Sequence, residues 1–188
     1  RRVCDANGAL MIADEIQTGM GRTGALLASP ALGAKPDIVV LAKSLGNGFP
    51  VGAFLAHGEA AKAFAPSEHG STFGGNPLAA AIAREALKVI VDEKLVENSA
   101  KMGEYFMEHL AEINSPHIKN VRGKGLLIGI ELYPEAKGAR RFCESLQEKG
   151  ILAKETHENV IRFAPPLIIK KEDIDWAMPR IREVLQMP

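Results

Sequence analysis

Cysteine is nearly missing from this sequence: Cys4 and Cys143 are the only two in 188 residues. Two thiols so far apart build no disulfide framework, and neither has partners at metal-ligand spacing, which argues against a stapled secreted mini-domain and against a zinc site. Aromatic residues are scarce, at 5%. No apolar run exceeds six residues, against the ~20 a membrane-spanning helix needs. Neither sign of charge dominates, because 23 basic and 23 acidic side chains cancel. Without clustered basic charge, no nucleic-acid footprint is expected. No secretory leader is legible at the start. The expectation is a reducing, cytoplasmic setting with neither membrane nor nucleic acid as partner. An initiator methionine is also lacking: the chain opens Arg1-Arg2-Val3-Cys4, as a piece of a longer protein would.

Hydrophobic residues make up 46%, and their distribution is informative. Residues 9–14 (ALMIAD) and 38–43 (IVVLAK) are unbroken apolar runs of the kind that buried parallel strands leave in a sequence. Each leads into a glycine-rich stretch. A third run, 51–56, follows the second too closely for a helical crossover, so it reads as antiparallel. Asn76-Pro77 has the chemistry of a helix start, with Leu78, Ile82, Ala86, Val89 and Ile90 repeating at helical spacing behind it. A second helix places Leu95, Ser99, Met102, Phe106, Leu110 and Ile113 on one face. Beyond residue 116 the pattern changes. Residues 121–132 read as one strand, 136–149 as an amphipathic helix ending at Gly150, and 151–154 and 160–164 as strand pieces. A last helix spans 172–186 with Ile174, Ala177, Ile181 and Leu185 inward, kinked or split at Pro179. Cys143 and Trp176 read as core packing. The fold class is α/β in 1–94, followed by a small C-terminal α+β domain in 95–188.

Two strand runs end in opposite charges, Asp14 and Lys43. Ligands in open α/β sheets sit at such carboxyl ends. Taken singly, a strand-end carboxylate is commonly a turn or cap residue, and a lone lysine usually snorkels to water. Together, with glycine-rich loops behind both, they fit pyridoxal 5'-phosphate chemistry. That cofactor needs a lysine to form a Schiff base and an acid to keep its pyridine nitrogen protonated. The lysine must be partly desolvated for its amine to be neutral near pH 7, and glycines let backbone amides approach a phosphate.

The strings ADEIQTGMGRTG at 13–24, AKSLGNGFP at 42–50 and HGSTFGGNP at 69–77, in this order and spacing, resemble the class III, fold type I aminotransferases. The likeness covers essentially the whole chain but only the later half of a family member. It implies the later part of a mainly parallel large-domain sheet plus a small C-terminal domain. Lys43 would be the Schiff-base lysine and proton shuttle, and Asp14 the partner of the pyridine nitrogen. Ile16 would pack on the ring and Gln17 would hydrogen-bond its hydroxyl. Ser71 and Thr72 would lie near the phosphate, with Thr72 contributed to the neighbouring site of a homodimer. Arg162 would clamp the substrate α-carboxylate in a bidentate fork. Arg22 reads as structural, held by an ion pair, and His69 as a turn residue. Asn47 stands where the family usually has glycine, and asparagine tolerates the left-handed backbone such a loop needs.

The stretch LAKETHENVIRFAPPL at 152–167 resembles the ornithine-type members in particular. That likeness implies transfer of the δ-amino group of L-ornithine to 2-oxoglutarate, the partners being a small amino acid and a 2-oxo acid. An acetylornithine- or 4-aminobutyrate-type enzyme fits the same residues. A reading of a different class is an inactive fragment that supplies half of a site. Apolar surface left bare where an upstream half would pack should then make the isolated chain poorly soluble.

Overall fold

A computed structural model describes all 188 residues. Contacts divide it into two units, Arg1–Gly21 with Ala25–Leu95, and Arg22–Gly24 with Val96–Pro188.

In the first unit, α1 (Arg2–Ala6) precedes β1 (Ile12–Asp14), α2 (Ala28–Ala31), β2 (Ile38–Leu41), β3 (Ala53–Ala56) and α3 (Pro77–Asp92). The strands form one sheet in the order β1-β2-β3. β1 runs parallel to β2, with Asp14 level with Val40, and β3 runs antiparallel to β2. Both directions match the sequence reading, but the ladders are shorter than the apolar runs. Before β1, the Met11 carbonyl instead receives the Asp37 and Ile38 amides. At the other end, Lys43 opens a single 3-10 turn, Lys43–Leu45. Asn76 caps α3 as expected, its side chain accepting from the Ala79 amide at 2.9 Å.

Register puts Ile12, Ile38, Val40 and Phe54 on one sheet face with Asp14, and Val39 and Leu55 on the other. Ile12, Phe54 and Leu55 are 60%, 52% and 56% exposed. Apolar residues on both faces are the mark of a sheet meant to be covered on both sides. Along α3 only Ala79 and Ile90 are buried. Leu78 and Val89, expected in a core, are exposed.

In the second unit, α4 (Leu95–Ala111, its first residue belonging to the first unit) leads to β4 (Ile118–Lys124), β5 (Leu127–Leu132), α5 (Arg140–Glu148), β6 (Lys154–Thr156), β7 (Val160–Phe163) and α6 (Lys171–Leu185). The four strands make an antiparallel sheet in the order β4-β5-β7-β6. The single strand expected at 121–132 is a hairpin. Gly125, at φ +53°, takes the left-handed turn conformation that side chains resist. A Cβ there would lie 2.4 Å from the backbone of Thr23 and of Gly24, and one on Gly103 of α4 would lie 2.1 Å from the Gly125 carbonyl oxygen. Three stretches of backbone therefore meet where only glycine fits.

The core of this unit joins α4, α5 and α6 to one sheet face through Phe106, Leu110, Ile130, Phe142, Ile161 and Ile181. α6 is neither split nor interrupted at Pro179. The missing N–H of Pro179 leaves the carbonyl four residues back, that of Asp175, without its helical donor, while the Arg180 guanidinium donates to the next carbonyl, that of Trp176, at 2.7 Å. Trp176 is 48% exposed rather than core; its ring lies under Arg180, 4.0 Å from the guanidinium carbon. Cys143 is buried, as expected.

Candidate active site

Asp14 and Lys43 arrive at the carboxyl ends of neighbouring parallel strands. Asp14 ends β1 level with Val40, and Lys43 stands three residues past Val40, just beyond the end of β2. One Asp14 oxygen accepts the Ile16 amide at 3.0 Å, which closes a tight turn. Asp14 and Gln17 are exposed, and Ile16 is half-buried.

Lys43 has φ +46°, a conformation that costs a non-glycine residue about 1–3 kcal/mol and concentrates at ligand sites. Its side chain is exposed and opens on a hollow walled by Ser44, Asn47, Phe49, Pro50 and Val51. The desolvation expected of a reactive lysine is therefore not provided by these residues. Gly46 is obligatory in the same loop, since a Cβ would stand 2.2 Å from the Phe49 carbonyl oxygen. Asn47 takes φ +43°, the left-handed conformation expected of it. Ser71 and Thr72 lie exposed in the segment that leads to the Asn76 cap. His69 packs against Phe64, the ring planes tilted by 46° and the centres 5.6 Å apart.

Sequence reasoning passed over the residue that fixes this turn. Glu15 is 2% exposed. Its carboxylate accepts from the Ala28 amide (2.9 Å), the Ser29 amide (2.5 Å), the Ser29 hydroxyl (2.7 Å) and the Thr18 hydroxyl (2.7 Å). Burial acts to raise its pKa, and the donors from Ser29, Thr18 and Ala28 outweigh it, holding the carboxyl below its ordinary value.

In the second unit, Arg162 lies in the middle of β7, level with Gly129 of β5 and Lys154 of β6. It is half-buried. Arg22 has no ion pair, which corrects the expectation. Its guanidinium donates to the carbonyls of Pro165 (2.5 Å) and Leu126 (3.3 Å), and burial lowers its pKa. Carbonyl oxygens thus do the work assigned to a carboxylate.

The residue types suit pyridoxal 5'-phosphate: an acid and an amine at the ends of neighbouring strands, an amide side chain three residues past the acid, and two exposed hydroxyls in the segment before α3. A profile of the family "Aminotransferase class-III" matches residues 1–185. The chain belongs to the class III aminotransferases.

Ornithine aminotransferase of Brevibacillus brevis is 54% identical over 188 residues, which are all of this chain and 46% of that protein. Ornithine aminotransferase of Macrococcus caseolyticus is 54% identical over 185 residues, 98% of this chain and 46% of its own length. Among solved class III structures, ornithine delta-aminotransferase of Plasmodium falciparum superposes with a TM-score of 0.92 at 42% identity, covering 98% of this chain and 49% of that one. Acetylornithine aminotransferase of Elizabethkingia anophelis gives 0.90 at 43% identity, with the same coverage. The chain spans about half the length of the class III relatives it matches. No helix is long and apolar enough to cross a membrane.

Proposed function

We propose that this chain is the later half of a pyridoxal 5'-phosphate-dependent ornithine aminotransferase. In this reading, 1–94 is part of the cofactor-binding domain and 95–188 is the small domain. The observation that carries it is the placement of Asp14 and Lys43 on adjacent parallel strand ends in a chain 54% identical to ornithine aminotransferases.

When bound, the cofactor supplies an aldehyde that condenses with amines and a protonated ring that withdraws electrons. Asp14, as a carboxylate, holds the proton on the ring nitrogen. Gln17 hydrogen-bonds the ring hydroxyl, and Ile16 covers a ring face. The Lys43 amine would hold the cofactor's aldehyde carbon and, when not so engaged, would carry a proton to and from the carbon bearing the transferred amine. Ser71 and Thr72 donate to phosphate, with Thr72 serving the neighbouring site of a homodimer. Arg162 grips the substrate α-carboxylate, because a planar fork can bind both oxygens at once. The δ-amino group of L-ornithine would pass to 2-oxoglutarate, the ornithine becoming glutamate semialdehyde and the 2-oxoglutarate becoming glutamate.

The test uses the full-length protein. Lys43→Ala should abolish the visible absorbance of the bound cofactor, and retention of that band would refute the assignment. Arg162→Lys should lower kcat/KM more than tenfold for both substrates. Acetylornithine transfer is the second reading, favoured by the 43% identical acetylornithine aminotransferase; a panel of L-ornithine, N-acetylornithine and 4-aminobutyrate separates the donors.

A further inference from the structure

We infer that Glu15 is a positioning residue for the cofactor site, acting through Asp14 and Gln17; the inference rests on the pyridoxal 5'-phosphate reading above. Asp14 itself has little to hold it. It is exposed, it stands at the last position of a three-residue strand, and its side chain accepts from the amide two residues on. The next residue is fixed at both ends. The Glu15 backbone amide donates to the Val40 carbonyl at 2.9 Å, extending the parallel ladder one step, and its carbonyl receives the Gly19 amide at 2.9 Å, closing the turn 15–19. Its carboxylate gathers four donors from Thr18, Ala28 and Ser29.

Side chains alternate along extended backbone, so a Glu15 locked inward sends Asp14, the last residue of β1, outward, and the turn that begins at Ile16 starts from a fixed point. Asp14 is indeed exposed and Glu15 buried. The carboxylate form is required. Four donors converge on two oxygens, whereas an amide offers one oxygen and brings two donors of its own. The buried N–H groups facing it would then lose their partner.

The full-length protein carries the test, with Glu15→Gln and Glu15→Asp as variants and Ser29→Ala as a milder lesion that removes only one hydroxyl. Three quantities are read: amide exchange over residues 14–29 in the cofactor-free protein, the dissociation constant of pyridoxal 5'-phosphate, and the pH midpoint of the bound cofactor's absorbance. Glu15→Gln should speed exchange across 15–29 at least tenfold, weaken cofactor binding at least tenfold and shift the midpoint. Glu15→Asp should recover part of each. Should Glu15→Gln fail to accumulate, Ser29→Ala should still show the same changes, at two- to fivefold. Faster exchange with affinity and midpoint unchanged would mean a merely structural carboxylate and would overturn the inference, as would unchanged exchange. Absence of a Lys43-dependent band from the unmodified protein would instead bring down the underlying assignment, and the inference with it.

Discussion

Burial sets the chemistry of single side chains here in opposite directions. Cys143 lies on the core side of α5, and burial, helped by the nearby Glu155 charge, pushes its thiol up to about 11. At pH 8 roughly a thousandth of it is then thiolate, the form that reacts. Iodoacetamide should therefore label the more exposed Cys4 well before Cys143, as peptide mass mapping over a time course would show; equal rates would contradict the burial. Glu15 is buried as well, yet its donors hold it charged. A carboxyl whose folded pKa is lowered stabilises the fold above the ordinary glutamate pKa of 4.5, and that contribution is lost as pH falls through the lowered value. Amide protection at Ala28 and Ser29 should thus be flat from pH 7 to 5 and fall below about 4.5. The strand-end positions of Asp14 and Lys43 were legible because charges interrupt apolar runs. Glu15 was not, since nothing in the sequence tells that Ser29, fourteen residues on, turns back to meet it.

At the level of elements, periodicity located most helices and strands, and close backbone contact decided the rest. The hairpin of β4 and β5 hid inside one apolar stretch because its reversal depends on Gly125, and one glycine among 18 carries no special mark. Gly103→Ala should destabilise the second unit by about 1–3 kcal/mol or more, the range for forcing extra atoms into a packed site, since the neighbour is backbone and cannot rotate away. Chemical denaturation would measure it. At α3, Asn76→Ala removes the oxygen that caps the Ala79 amide and should cost about 1 kcal/mol. Pro179 does not split α6, because it removes a single rung, the one to the Asp175 carbonyl, while Ile174, Met178, Ile181 and Val184 on both sides of it stay in the core.

Over the whole molecule, apolar burial is lopsided. The main core cluster runs from Met102 to Leu185, while the first unit presents Ile12, Phe54, Leu55 and Leu78 to solvent. Local stability follows buried apolar contact. In the 188-residue chain, amides of β4, β5 and β7 should exchange slowest, and those of β1 to β3 at least tenfold faster. Uniform protection would show that the short sheet is held by something other than its buried area. The α/β class was readable from composition and pattern alone. Bare apolar surface was expected as well, from a likeness that covers only the later half of a family member; which residues would be bare was not, because a sequence announces an apolar face but not what covers it.

Arg22–Gly24 sits inside a motif whose earlier residues end β1, yet it belongs to the second unit. The polypeptide therefore passes between units at three junctions, 21/22, 24/25 and 95/96. No single scission can sort the residues cleanly: a fragment stopping at Leu95 carries away the guanidinium that ties the Pro165 and Leu126 carbonyls. The halves of this chain are spliced rather than strung, so neither can be excised without wounding the other.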